Sequence, residues 1–191
     1  MQEMDVFWLR AAAALYSSGL FHSAYTVLRK RTSIFQPILA IFCVATVLHM
    51  VSLVETTIRM RHFPANNFYQ SLSLCAFVIS ASFLFVYWRY SFQGLCVFIF
   101  PLVFVMTLMG AMEGGTVSWS TPTVRGAWLT LHVALVLLGY AAMLLMAVAS
   151  VLYLVQERQL KRKRPSVFFE RLPPLGTLDN LITNTMSFGF V

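Results

Sequence analysis

The chain has 191 residues, of which 59% are hydrophobic and only 11% are charged, and its formal net charge is +7. Soluble domains carry about 25% charged residues, so this composition excludes an ordinary soluble fold. The basic residues lie mainly in short segments between apolar stretches, which indicates membrane topology and not nucleic-acid binding. We therefore predict a single transmembrane domain over residues 1–191, embedded in a lipid bilayer.

Five apolar stretches are long enough to cross the hydrocarbon core, which needs roughly 20 residues per helix. In chain order they cover about 6–28, 34–54, 68–87, 95–112 and 127–155. A sixth helix is predicted to begin near 178, after two prolines, and the sequence ends inside it. The predicted fold class is thus all-α, a polytopic transmembrane helix bundle of five full spans and the start of a sixth. We expect the chain to be truncated at its C-terminus and to form the N-terminal part of a longer transmembrane domain.

The Lys and Arg residues predict how the bundle is oriented. If the spans alternate in direction, one side carries four basic residues, Arg10, Arg59, Arg61 and Arg125. The positive-inside rule makes the other side cytoplasmic, so the amino terminus and the loop 113–126 are expected outside a cytoplasmic (inner) membrane. The cytoplasmic side then carries ten basic residues: Arg29, Lys30, Arg31, Arg89, Arg158, Lys161, Arg162, Lys163, Arg164 and Arg171.

Motifs for the common catalytic chemistries do not occur in the sequence. It has no phosphate-binding glycine loop, no hydrolase nucleophile elbow and no H-E-x-x-H zinc helix. Cys43, Cys75 and Cys96 have no C-x-x-C spacing and are predicted to be buried apolar side chains. No catalytic residue is therefore predicted.

His132 lies near the outer end of the fifth span, one turn after Trp128, a residue typical of the membrane interface. Val136, Gly139 and Tyr140 follow on roughly the same helical face, and Gly139 leaves space for a flat, bulky group beside the helix. A neutral imidazole at this depth can bind a metal that arrives from the outer side. A hydrogen bond between helices is the alternative use of such a residue.

His49 lies in the outer half of the second span, and Thr46 and Ser52, one turn away on either side, are its expected hydrogen-bond partners. A charged side chain at this depth is unfavourable by a few kcal/mol, so a neutral imidazole facing the bundle is expected. Its structural and functional interpretations are equally open. His22 and His62 are predicted to be structural or solvated.

Several short tracts occur in an order that resembles the CcsA/ResC-type cytochrome c assembly family. The resemblance extends over nearly the whole chain. The tracts that carry it are 62–64 (HFP) with 67–72 (NFYQSL), 131–133 (LHV), 138–141 (LGYA), 152–161 (LYLVQERQLK) and 172–179 (LPPLGTLD).

This resemblance implies a role in cytochrome c biogenesis, with haem as cofactor or cargo. Members of the family present haem in the membrane for covalent attachment to apocytochrome c, together with a CcsB/ResB-like membrane partner. His132 matches the family's external histidine, an axial ligand of the haem iron. His49 matches a histidine that is common in the second span of the family, and the resemblance predicts it as a further cofactor-binding residue.

Two departures leave the branch of the family open. Gln70 stands where many members have Glu, and the tryptophan-rich haem segment with the second external histidine does not occur in 1–191. The HemX/YpjD-like branch can lack that segment. The alternative function is therefore a regulatory or scaffold membrane protein without catalysis. A small-molecule transporter is a third possibility, but no convincing inverted repeat supports it.

Overall fold

A computed structural model describes residues 4–29, 35–61, 63–65, 67–91, 93–112, 127–162 and 174–189. Within these ranges the chain is helical and contains no strand, which confirms the predicted all-α bundle. The helices are α1 (Met4–Arg29), α2 (Phe35–Met60), α3 (Phe68–Tyr90), α4 (Cys96–Gly110), α5 (Ala127–Lys161) and α6 (Leu175–Gly189), and a 3₁₀ turn (Gln93–Leu95) precedes α4.

The five predicted spans correspond to α1 to α5. Of the described helices, α2, α3, α4 with its 3₁₀ turn, and α5 are long and apolar enough to cross a membrane. Helix α1 has 26 residues and sufficient length, but Ser17, Ser18, His22 and Ser23 make it less apolar than the other four. Its polar side chains face the bundle in part, since His22 and Ser23 are buried.

Several helix ends differ from the sequence prediction. Helices α2 and α5 extend beyond the predicted apolar spans, to Met60 and Lys161, because a helix can continue into polar residues outside the hydrocarbon core. Helix α6 begins at Leu175 and not near 178. The carbonyl of Pro174 accepts the backbone N–H groups of Thr177 and Leu178 at 2.8 and 3.3 Å, and proline is favoured at helix N-termini.

The two ends of α3 are fixed by capping residues. The side chain of Asn67 accepts the backbone N–H of Gln70 at 2.8 Å, a standard N-cap bond. At the other end Ser91 has a left-handed backbone with φ 51° and donates its N–H to the carbonyl of Tyr87. Helix α3 therefore begins at residue 68, where the third span was predicted to begin.

Helices α1 to α4 form the body of the bundle. Helix α1 packs on α2 and α4, α3 packs on α4, and α5 packs on α3 and α6. Aromatic rings fill the centre, where Phe42 and Phe100 stack with centroids 4.4 Å apart and Phe83 contacts both rings edge-on. Gly19 lies against Phe100 and lets α1 and α4 approach closely.

The contacts at the two ends of α1 define the directions of its neighbours. Asp5 at the start of α1 pairs with Arg59 at the end of α2. Ser23, near the end of α1, donates to the carbonyl of Cys96 at the start of α4 at 3.2 Å. Helix α1 is therefore antiparallel to both α2 and α4, as alternating membrane crossings require.

Candidate functional site

A set of buried polar side chains runs through the body of the bundle, and we call it the polar column. Its α2 members, Thr46, His49 and Ser52, recur at three-residue spacing and therefore lie on one helical face. Polar groups at this depth require partners because hydrocarbon offers none. The complete column is Asp5, Tyr16, Thr46, His49, Ser52, Ser73 and Ser80.

His49 lies inside this column and is completely buried. Its Nε2 atom is 2.9 Å from the hydroxyl oxygen of Ser73 on α3. The rings of Tyr16 and Phe77 contact the imidazole edge-on, with centroids 6.0 and 5.8 Å away. The Nδ1 atom is also buried and has no hydrogen-bond partner among the described residues. Both faces of the imidazole are thus enclosed by protein.

Tyr16 connects three helices of the column. Its hydroxyl lies 3.1 Å from Thr46 Oγ1 on α2 and 3.3 Å from Ser80 Oγ on α3. Thr46 also donates to the carbonyl of Phe42 at 2.9 Å. Thr46 is therefore committed to Tyr16 and to its own helix, and the partner of His49 comes from α3.

An ion pair closes the end of the column that is formed by the start of α1 and the end of α2. Asp5 is buried and pairs with Arg59, whose side chain is about one-third exposed. Thr56 donates to Asp5 Oδ2 at 3.1 Å, and Ser52 donates to the backbone carbonyl of Asp5 at 2.7 Å. The carboxylate consequently has both a countercharge and a hydroxyl donor, which a buried charge requires.

His22 occupies the opposite end of the bundle. It is buried, and its ring centroid lies 5.9 Å from that of Phe35 and 6.4 Å from that of Phe100. His62, the other histidine with a weak sequence signal, lies outside the described residues. His22 is therefore packed among aromatic core residues.

His132 has a different environment, because its side chain is exposed on α5. Its neighbours at i−4 and i+3, Trp128 and Leu135, are 81% and 58% exposed. Tyr140, two turns further along the helix, is 62% exposed, and Gly139 is half-buried. An imidazole with apolar and aromatic side chains around it thus lies on an open face of α5.

The structure does not bring the two predicted site residues into contact. His49 contacts α1 and α3, whereas His132 makes no hydrogen bond, ion pair or ring contact with any described residue. Of the three described histidines, His22 and His49 are buried and His132 alone is exposed. Among these three histidines, only His132 can be reached by a group outside the bundle.

Sequence reasoning did not identify Tyr16, Ser73 and Ser80 as members of the polar column. A signal for the α2 half was available, because polar residues recur on α2 at three- and four-residue spacing from Thr46 to Arg59. No comparable periodicity marks the partners on α1 and α3, and their pairing depends on how the helices are set against each other.

The chain resembles known proteins in two comparisons. A family model described as "Cytochrome C assembly protein" matches residues 8–191. An "Uncharacterized 28.8 kDa protein in nifR3-like 5'region" from Azospirillum brasilense is 43% identical over 58 residues, which are 28% of this chain and 21% of that protein. The chain thus covers about a fifth of that relative's length. No solved structure matches the chain.

Proposed function

The chain belongs to the cytochrome C assembly protein family, and from this premise we propose that it handles haem in a membrane during cytochrome c biogenesis. Its task is to hold haem at the outer side of the bilayer for covalent attachment to apocytochrome c. Within the described residues, four helices are long and apolar enough to cross a membrane, which supports an integral membrane location. The charge asymmetry supports the cytoplasmic membrane with the amino terminus outside.

The exposed imidazole of His132 is the observation that carries this proposal. Haem iron accepts axial imidazole ligands, and a porphyrin ring needs an apolar surface beside the ligand. The exposed face of α5 offers both, with Leu135 and Tyr140 beyond the histidine and Trp128 before it. Trp128 also indicates that His132 lies about one turn inside the interface. The residues present therefore fit one side of a haem site.

In this proposal His132 is the axial ligand and the apolar face of α5 orients the macrocycle. Bound haem would supply the iron that accepts the imidazole and the porphyrin that becomes attached to the apocytochrome thiols. The protein's part is to bind, orient and expose the haem. We expect a CcsB/ResB-like membrane protein and apocytochrome c as partners.

His49 has a structural role in the same proposal, although its sequence match also allowed cofactor binding. Its Nε2 atom is engaged with Ser73 and its ring is enclosed by Tyr16 and Phe77. A haem ligand needs a ring nitrogen that faces a space as large as a porphyrin, and packed interiors contain few such voids. The surroundings of His49 favour a bond that holds α2 against α3.

The test replaces His132 by Ala in the full-length protein, expressed with its partners. The substitution removes an exposed imidazole, so insertion and yield should be unchanged. Removing a residue that only hydrogen-bonds a metal ligand lowers metal affinity by about 10- to 100-fold. Removing the ligand itself should therefore lower haem retention at least about tenfold. The measurements are the haem absorption spectrum of the purified protein and the cell's content of c-type cytochromes.

Leu131→Ala is the matched control, because it truncates an exposed residue on the same turn without removing an iron ligand. Its spectrum should equal that of the wild type. Free imidazole should restore part of the haem spectrum of His132→Ala, since it can occupy the vacated axial position. An unchanged spectrum and unchanged maturation in His132→Ala would overturn the ligand role and leave the non-catalytic scaffold function as the better hypothesis.

A further inference from the structure

A groove of about 730 Å³ lies between α3, α5 and α6, away from both His49 and His132. The groove is wide where small side chains line it, which are Ala81 and Ser82 on α3 and Ala142 on α5. Phe85 and Leu145 contribute apolar walls. Ligand sites typically have volumes of about 300–1,000 Å³, so this groove can hold most of an acyl chain or a compact ligand.

The one charged side chain that lines the groove lies at one end of it, together with most of the polar side chains. Arg89 and Tyr90 line it at the end of α3, and Asn184 of α6 donates to the Tyr90 hydroxyl at 3.0 Å. The guanidinium carbon of Arg89 lies 5.3 Å from the centre of the Tyr90 ring, which holds the cation at this end. No acidic residue lines the groove. No carboxylate among the described residues lies within salt-bridge distance of Arg89.

The neighbours of Arg89 indicate its depth in the membrane. Trp88 is 78% exposed and lies within one turn of the end of α3, a position typical of tryptophan at the membrane–water interface. From Arg89 the groove follows α3 back to Ala81, a rise of about 12 Å toward the centre of the bilayer. The cation thus lies at headgroup depth and the apolar part of the groove lies beside the hydrocarbon.

We propose that this groove binds a phospholipid with an acidic headgroup, with its phosphate on Arg89 and one acyl chain along α3 and α5. Cationic pockets between transmembrane helices on the cytoplasmic side are known to bind acidic headgroups. Haem fits the groove less well, because no histidine, cysteine or methionine lines it, and the hydroxyl of Tyr90, the remaining potential iron ligand, already accepts a hydrogen bond from Asn184. The proposal goes beyond haem handling and does not depend on His132.

Native mass spectrometry of the detergent-purified protein, with phosphatidylglycerol and phosphatidylcholine of identical acyl chains, tests the assignment. The wild type should retain phosphatidylglycerol over phosphatidylcholine by about fivefold, the effect of one well-placed cation. Arg89→Gln should retain the two lipids equally. Arg89 is exposed, so this variant should fold like the wild type. Arg10→Gln, which removes an exposed cation from α1, is the matched control and should keep the preference.

A second variant tests the acyl part of the groove. Ala142→Leu fills the space between α3 and α5 without changing charge, so it should lower the retention of both lipids and keep their ratio. His132→Ala should leave lipid retention unchanged, which separates this site from the proposed haem site. Equal retention of the two lipids by the wild type would overturn the proposal, as would an unchanged preference in Arg89→Gln. Haem bound in place of lipid and lost in Arg89→Gln would also overturn it.

Discussion

Intramembrane histidines can bind a cofactor or hold helices together, and the surroundings of each imidazole favour one use over the other. His49 is enclosed, with a hydroxyl partner on a neighbouring helix, whereas His132 is open to the outside of α5. The difference is access, which supports separate roles for two residues of the same type.

The bond between His49 and Ser73 leads to a prediction about stability. Interhelical hydrogen bonds in membrane proteins contribute about 0.6 kcal/mol on average and at most about 1.7 kcal/mol. We expect a double-mutant cycle of His49→Ala and Ser73→Ala to give a coupling energy in that range. His49→Ala alone should lower the free energy of unfolding further, because it also removes the ring contacts with Tyr16 and Phe77.

The measurement is reversible unfolding of the purified protein in mixed detergent, monitored by circular dichroism. Ser150→Ala is a suitable control, since Ser150 donates only to the carbonyl of Met146 within its own helix. Its coupling to His49→Ala should be zero within error. A zero coupling between His49 and Ser73 as well would mean that the bond does not hold α2 to α3.

Sequence reasoning located His49 in the bundle but not its partner. Thr46 and Ser52 were the expected hydrogen-bond partners because they are one turn away. In the structure Thr46 interacts with Tyr16, and Ser52 donates to the backbone of Asp5. A side chain's distance along its own helix is fixed by helical geometry, whereas the residue across an interface depends on how two helices are packed.

At the scale of helices, the approach of α3 and α4 depends on Gly110. A Cβ atom added there would lie 2.9 Å from the Cβ of Ser73 and 3.3 Å from the carbonyl oxygen of Tyr69. Small residues allow close backbone approach between membrane helices. Gly110 therefore leaves room for Ser73, which in turn bonds His49.

We predict that Gly110→Ala pushes α3 and α4 apart and lowers the free energy of unfolding by about 1–3 kcal/mol, the range for overpacked sites. It should also reduce the coupling between His49 and Ser73. Gly176→Ala is the matched control, because an added Cβ there meets nothing within 4 Å and alanine favours helix over glycine. The same unfolding assay compares the two, and equal stability of both variants would contradict the predicted contact.

Helix positions were largely predictable from the sequence, and helix ends were not. The apolar stretches locate α1 to α5 because each crossing needs a minimum length of apolar residues. The last turns of α2 and α5 are polar, so a prediction from hydropathy ends each helix before its helical backbone ends. The start of α6 was predicted near 178, after the two prolines, whereas the carbonyl of Pro174 accepts the first backbone donors and the helix begins at Leu175.

At the scale of the whole molecule, the packing contacts establish relative directions. The Asp5–Arg59 pair joins the start of α1 to the end of α2, and the Ser23–Cys96 contact joins the end of α1 to the start of α4. Helix α1 is therefore antiparallel to α2 and to α4, which agrees with alternating crossings of the membrane. The absolute orientation rests on charge, with ten basic residues on one side and four on the other.

The last prediction is that the amino terminus and the loop 113–126 face the outside of the cytoplasmic membrane. Cys43, Cys75 and Cys96 would be replaced by Ala, and single cysteines introduced as Ser118→Cys or Ser166→Cys. An impermeant maleimide added to intact cells or spheroplasts should label Ser118→Cys at once and Ser166→Cys only after lysis. The physical reason is the positive-inside rule, since Lys161 to Arg164 adjoin Ser166. The reverse labelling pattern would invert the bundle and place His132 near the cytoplasm, where it could not present haem to an external apocytochrome.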